Sequence, residues 1–125
     1  MKRIFGFLII GLGALLLLTA CQRSNASRAN IDIARQALAI ADELLDRNIS
    51  PEAAHARASR LSSISTTSTG NQREDDANRA LRTYVSRLTS ALQANTFLHN
   101  AENRRAVVDA RNDIARELGM RTRRT

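Results

Sequence analysis

From Ile4 to Ala20 the chain carries not one charge, while the remainder is far more polar. This unevenness divides the chain before any fold is considered. The 17-residue run lies at the bottom of the range for a bilayer-spanning helix. The chain beyond it must fold in contact with water. With 125 residues in all, there is room for one ordinary domain and too little for two. The single Cys, Cys21, excludes an intramolecular disulfide.

Lys2 and Arg3 form a short positive start, Ile4 to Leu18 an apolar stretch, and Leu18-Thr19-Ala20-Cys21 closes it. Basic start, apolar stretch and small-residue terminus are the layout of a secretory signal peptide. The last four residues resemble the lipobox of bacterial prolipoproteins, which reads Leu, a small or β-branched residue, a small residue, then Cys. The resemblance covers residues 1–21 only. It implies that Leu18, Thr19 and Ala20 form the cleavage motif and that residues 1–20 are removed. It further implies that the Cys21 thiol takes a diacylglyceryl group and its new amino group a palmitate-type acyl chain. Burial of acyl chains gives about 0.8 kcal/mol per CH₂, so two or more chains anchor stably where one does not. Two alternatives stay open: an uncleaved signal anchor, and a secretory peptide followed by a coincidental Cys. In Gram-negative lipoproteins an Asp after the Cys commonly retains the protein in the inner membrane. Gln22 stands there instead, which implies an outer-membrane, periplasm-facing location in such a cell, and the cell membrane otherwise.

Loss of Lys2 and Arg3 takes the cations from 19 to 17 against 12 acids, a balance of +5 in which every cation is Arg. Residues 21–30 hold the expected lipidated Cys and a polar tether, since 22–30 contain no large apolar side chain. From there the 3–4 spacing of apolar residues predicts helices. A first spans about Ile31 to Arg47, with Asn30 or Ser27 as its cap and a stripe through Ile31, Ala34, Leu38, Ala41, Leu44, Leu45 and Asn48. Ser50-Pro51-Glu52 opens a second, with an N-cap, a proline at the first position and an acid in the positive first turn. Its face holds Ala54, Ala58, Leu61 and Ile64. The Ser/Thr run 62–71 reads as loop. A third helix runs from about Gln72 to Ala94. A turn over Thr96 to Asn100 is expected to place Phe97 and Leu98 in the core. A fourth helix runs from about Ala101 to Leu118, with Gly119 as its left-handed terminator and a basic tail over 120–125.

No window alternates like a strand. The fold class is therefore all-α: a small antiparallel bundle of three to four helices, spanning 31–119, after a cleaved signal helix. The large apolar residues after Cys21 number 21, a thin core that a partner or self-association would help complete.

Chemistry-bearing constellations are sparse. Glu52 and His55 share the i,i+3 spacing of di-iron bundles, but such sites need two copies and two further Glu. The other His, His99, stands three residues before Glu102 in the opposite order. Glu74, Asp75 and Asp76 complement the dipole at the start of the third helix. There is no nucleophile elbow and no Gly-rich phosphate loop, so no catalytic residue, metal site or cofactor is assigned and an enzyme is not expected. Many Arg have an acid at helical spacing, among them Glu43/Arg47, Asp75/Arg79 and Asp113/Arg116. That reads as a mixed solvated surface, with no nucleic-acid partner. Arg121, Arg123 and Arg124 are the exception, cations with no acid among them that could touch an anionic surface, or simply fray in solvent.

The expectation is a non-enzymatic envelope lipoprotein acting by protein–protein contact: a pilotin-like helper of a secretion channel, an exclusion lipoprotein, or a structural component. Its partners would be the membrane, through the lipid, and an envelope protein or a second copy. The alternative is a small-ligand or metal-binding helical module on the outer membrane, with its site in the bundle interior near His55.

Overall fold

Ser27, not Asn30, starts the first helix. In the computed structural model, which describes residues 24–65, 67–68 and 70–124, the Ser27 side chain accepts the Asn30 amide and helix α1 runs Arg28–Leu45. The cap is fixed from outside the helix, because the Ser27 N–H donates to Asn78 Oδ1 at 2.7 Å. Three further helices follow: α2 Pro51–Ser62, α3 Gln72–Phe97 and α4 Ala101–Leu118. Among the described residues there is no strand. The chain is a small all-α bundle. No helix among the described residues is long and apolar enough to cross a membrane. The signal segment with Leu18, Thr19 and Ala20, and Cys21 itself, lie outside the described residues.

Successive helices reverse direction. The start of α1 meets the end of α4, where Ser24 Oγ lies 3.5 Å from Glu117. Helix α1 packs against α2, α3 and α4, and α3 touches both its neighbours, while α2 and α4 do not meet. Helices α1 and α3 thus form the short diagonal. This explains why α1 buries more than the predicted stripe: Ile33, Ala37 and Ile40 are buried as well. A helix with neighbours on three sides needs a wide apolar face, and small residues let them approach closely. Seven of the 22 buried apolar residues are Ala.

The start of α2 and the end of α4 obey the predicted signals. Ser50 caps α2 with Pro51 behind it. Gly119 ends α4 in the left-handed region at φ 70°. There Met120 N–H bonds to Ala115 O at 2.7 Å and Gly119 N–H to Arg116 O at 3.2 Å, the two bonds of a Schellman terminator. Helix α1 ends in the same motif with the wrong residue. Arg47 occupies the left-handed position at φ 61°, with Asn48 N–H on Glu43 O at 2.8 Å. A side chain there costs about 1–2 kcal/mol relative to the right-handed conformation.

Three expectations need correction. The tether is shorter than 21–30, because Arg28–Asn30 are helical and Ser24 and Asn30 are buried. Short polar side chains hold this segment where apolar ones do not: Ala26 N–H and the Asn30 amide both bond to serine hydroxyls. Ile64 lies beyond the end of α2 and is exposed. Phe97 and Leu98 are not in the core but are 81% and 59% exposed. Helix α3 continues three residues past Ala94, and its buried row Leu81, Val85, Leu88, Leu92 ends on Asn95. At 3.6 residues per turn, Phe97 sits roughly 140° around the helix from Leu92.

This row predicts a sharp contrast in stability. Leu92→Ala, at a fully buried site, should cost about 3 kcal/mol. Phe97→Ala should cost less than about 0.5 kcal/mol. Urea unfolding followed by circular dichroism measures both, and equal losses would refute the outward orientation of Phe97.

Candidate functional site

Two polar features stand out from the helical frame, one along the α1–α4 seam and one at the end where α1 finishes. The first begins with Arg111, a buried residue of α4. Its Nε and Nη2 donate to the two oxygens of Asp42 on α1 at 2.9 and 3.2 Å. Its Nη1 donates to Asn112 Oδ1 at 3.1 Å and to the Arg121 carbonyl at 2.6 Å. A buried guanidinium is tolerable only when its donors are satisfied, and here two helices and the tail supply the acceptors. Asn112 then takes the Arg123 backbone at both polar atoms: it accepts from the Arg123 N–H and donates to the Arg123 carbonyl, both at 2.8 Å. The Arg123 guanidinium reaches Asp42 at 3.1 Å and Asp46 at 2.8 Å.

The basic tail is therefore a strap. This corrects the reading of Arg121, Arg123 and Arg124 as three equivalent cations for an anionic surface. Arg123 is half-buried and ion-paired, whereas Arg121 and Arg124 remain exposed. The hydrogen bond from Arg123 holds the Asp46 carboxyl below its ordinary value of 3.8, against a smaller desolvation effect and with help from the charges of Arg123 and Arg104. The same hydrogen bond raises Arg123 above its ordinary range.

The second feature is a cleft of about 430 Å³ between the 46–50 and 98–100 turns. Leu44, Leu45 and Val107 form its apolar base, and Arg47, His99 and Arg104 stand among its lining residues. No Asp or Glu lines it. Arg104 Nη2 donates to the Leu45 carbonyl at 3.3 Å, which holds its guanidinium across the end of α1. Asn95, 9% exposed, lines the cleft and makes no side-chain hydrogen bond among the described residues. The adjoining turn is fixed by Asn103, whose Nδ2 donates to the Leu98 carbonyl at 2.7 Å.

Helical spacing alone pairs Arg47 with Glu43 along α1. The left-handed turn carries Arg47 off the helix, and Glu43 instead accepts from Arg57 of α2 at 2.7 Å. The expected Asp113–Arg116 pair is present at 2.6 Å. The two histidines have separate surroundings: His55 Nε2 lies 3.3 Å from Ser59 Oγ, and His99 lines the cleft. Among the described residues no group of three or more His, Cys, Asp and Glu could hold a metal ion. Asp75 accepts from Ser68 at 2.7 Å and tethers the Ser/Thr loop to α3.

No protein-family model, no curated protein and no solved structure matches the chain.

The strap generates two tests. Asp42→Ala strands the buried Arg111 guanidinium, whose side chain is 8% exposed against 27% for Asp42. Because Asp42 retains some contact with water, the loss should fall near the lower end for a broken buried pair, about 3 kcal/mol at neutral pH by urea unfolding. Arg123→Gln removes the partner that depresses Asp46. A carboxyl depressed in the fold contributes its full stability above the unfolded value of 3.8 and loses it as pH falls through the lower folded value. The stability gap between wild type and Arg123→Gln should therefore be constant from pH 7 to about 5 and narrow below 3.8. A gap that widens in acid would contradict this assignment.

Proposed function

We propose that the chain is a bacterial envelope lipoprotein, anchored through acylated Cys21, whose bundle works by contact with another envelope protein. The basic start, apolar stretch and Leu18-Thr19-Ala20-Cys21 motif support the anchor. Gln22 after the Cys supports outer-membrane sorting, with the bundle in the periplasm.

The observation that carries the contact reading is the position of Phe97 and Leu98. Only Gln22 and Arg23 separate Cys21 from Ser24, and an extended chain spans at most about 11 Å over those three steps. Ser24 is tied to Glu117, at the end where α1 begins and α4 finishes. An acylated Cys21 would therefore hold this end against the lipid. Phe97 and Leu98 lie at the opposite end, where α3 finishes, 81% and 59% exposed. A monomer in water gains nothing from two adjacent large apolar side chains held outward on a turn pinned by Asn103. They suit a contact surface directed away from the bilayer. Anchoring raises the local concentration of such a surface for any partner in the same membrane.

In the native envelope, Cys21→Ser should leave the precursor unprocessed and without the mass of the lipid. A photo-crosslinking residue in place of Phe97 should capture one defined protein, and the same residue in place of Gln36 should not. Normal processing of Cys21→Ser would overturn the anchor. Indistinguishable products from the two crosslinking positions would overturn the contact reading.

A further inference from the structure

We infer that the cleft between the 46–50 and 98–100 turns binds an acidic, apolar peptide segment of the contacted protein. This rests on the contact reading and names the chemistry of its partner. The cleft's apolar lining comprises the half-buried Ile49 and Pro51 together with the buried Leu44, Leu45 and Val107. The cations Arg47 and Arg104 stand over it, and no carboxylate lines the cleft. Asp46, just past the end of α1, is held by Arg123 at 2.8 Å and also feels the charge of Arg104. Helices α2 and α4 both begin here, but Glu52 and Glu102 in their first turns offset the positive dipole ends, so the positive charge of the cleft comes from Arg47 and Arg104. Asn95, whose side-chain polar atoms are open to water, adds a hydrogen-bonding group to the same lining.

A volume of about 430 Å³ would suit a small molecule as well as a few residues of peptide. Phe97 and Leu98 decide between them. They carry apolar surface beyond the cleft at the same end of the bundle, which a small carboxylate cannot cover and a polypeptide can. In the proposed complex a Glu or Asp of the segment meets Arg47 and Arg104, Arg104 favouring a planar, forked pairing. A neighbouring Leu-type side chain packs against Ile49 and Pro51, and the flanking residues cross Phe97 and Leu98.

The test uses the full chain in detergent and a fluorescein-labelled hexapeptide of alternating Leu and Glu. Fluorescence anisotropy should show saturable binding, weakened at least tenfold in the twin peptide with Gln for Glu. Arg47→Gly and Arg104→Gln should each weaken binding at least fivefold. Arg47→Gly also relieves the left-handed strain at φ 61°, so its unfolding midpoint should rise and misfolding cannot explain its loss of binding. Phe97→Ser should weaken the peptide and leave isocaproate, a leucine-sized carboxylate, unaffected. Equal binding of the Glu and Gln peptides, indifference to Arg47→Gly and Arg104→Gln, or isocaproate binding as tightly as the peptide would each overturn the proposal. Crosslinking from Phe97 separates the two levels. If the captured protein persists in the Arg47→Gly/Arg104→Gln variant, the cleft is wrong and the contact surface stands. If wild type captures nothing specific, the contact surface itself fails.

Discussion

Helix α1 must bury itself against three neighbours at once, and the rest of the structure depends on how it does so. Ala34, Ala37 and Ala41 have no exposure at all, and Ile33, Leu38 and Ile40 fan out around them. Small residues bring the neighbouring helices close, and the larger ones fill the angles between them. Such a face is economical in apolar volume, which matters because no aromatic side chain among the described residues is fully buried: Tyr84 is half-exposed and Phe97 lies outside. The cost is a shallow margin of hydrophobic stabilisation. A bundle with this core cannot leave its ends to fray.

Polar ties hold those ends. At one end Asn78 accepts the Ser27 N–H, and along the α1–α4 seam Arg111 and Asn112 gather Asp42 and the tail. Each such bond is worth modestly more than the water contacts it replaces, but breaking one strands a buried partner at a larger cost. Geometry also ranks these ties. The Arg111–Asp42 pair is two-pronged and shielded, whereas the Arg123–Asp46 contact is exposed on the Asp46 side. Exposed pairs of that kind add little by themselves. The Arg123 backbone, held at both polar atoms by Asn112, does more to fix the strap than its charge does.

The helical pattern was legible wherever a chemical signal was local. Pro51 after Ser50, Asn100 before Ala101 and Gly119 after Leu118 each act within a few residues, and those boundaries agree with the structure. Features that depend on distant partners were not legible. Ser27 was one of two caps the sequence left open, and what anchors it, an N–H bond to Asn78 51 positions away, could not be read there. The tail is ordered because Arg111 and Asp42 come from different helices, and Glu43 pairs with Arg57 across the α1–α2 contact, not with Arg47 on its own helix. Phe97 misleads for another reason. Hydrophobicity alone assigns a Phe to the core, yet the spacing of Leu81, Val85, Leu88 and Leu92 already points the next inward position at Asn95. Period outranks residue type there, and the cleft lining of Arg47, Asn95 and Arg104 stays hidden in the sequence with it.

That inversion, a polar residue inward and an aromatic one outward, ties the bundle's architecture to its proposed work. Extending α3 to Phe97 places the apolar turn at the same end of the bundle as the cleft. Asn103 holds the turn by its Leu98 carbonyl, so the outward side chains are already set before any partner arrives. A surface fixed in advance loses less entropy on association than one that must first be ordered. The left-handed Arg47 fits the same logic. A glycine would close α1 with less strain, and strain retained at a site is a sign of use there. The strap completes the arrangement from the other side, since Arg123 keeps Asp46 occupied beside the cleft. Stability and recognition thus meet in one carboxylate: Asp46 holds the Arg123 of the strap and already lies within the field of the cleft's Arg104.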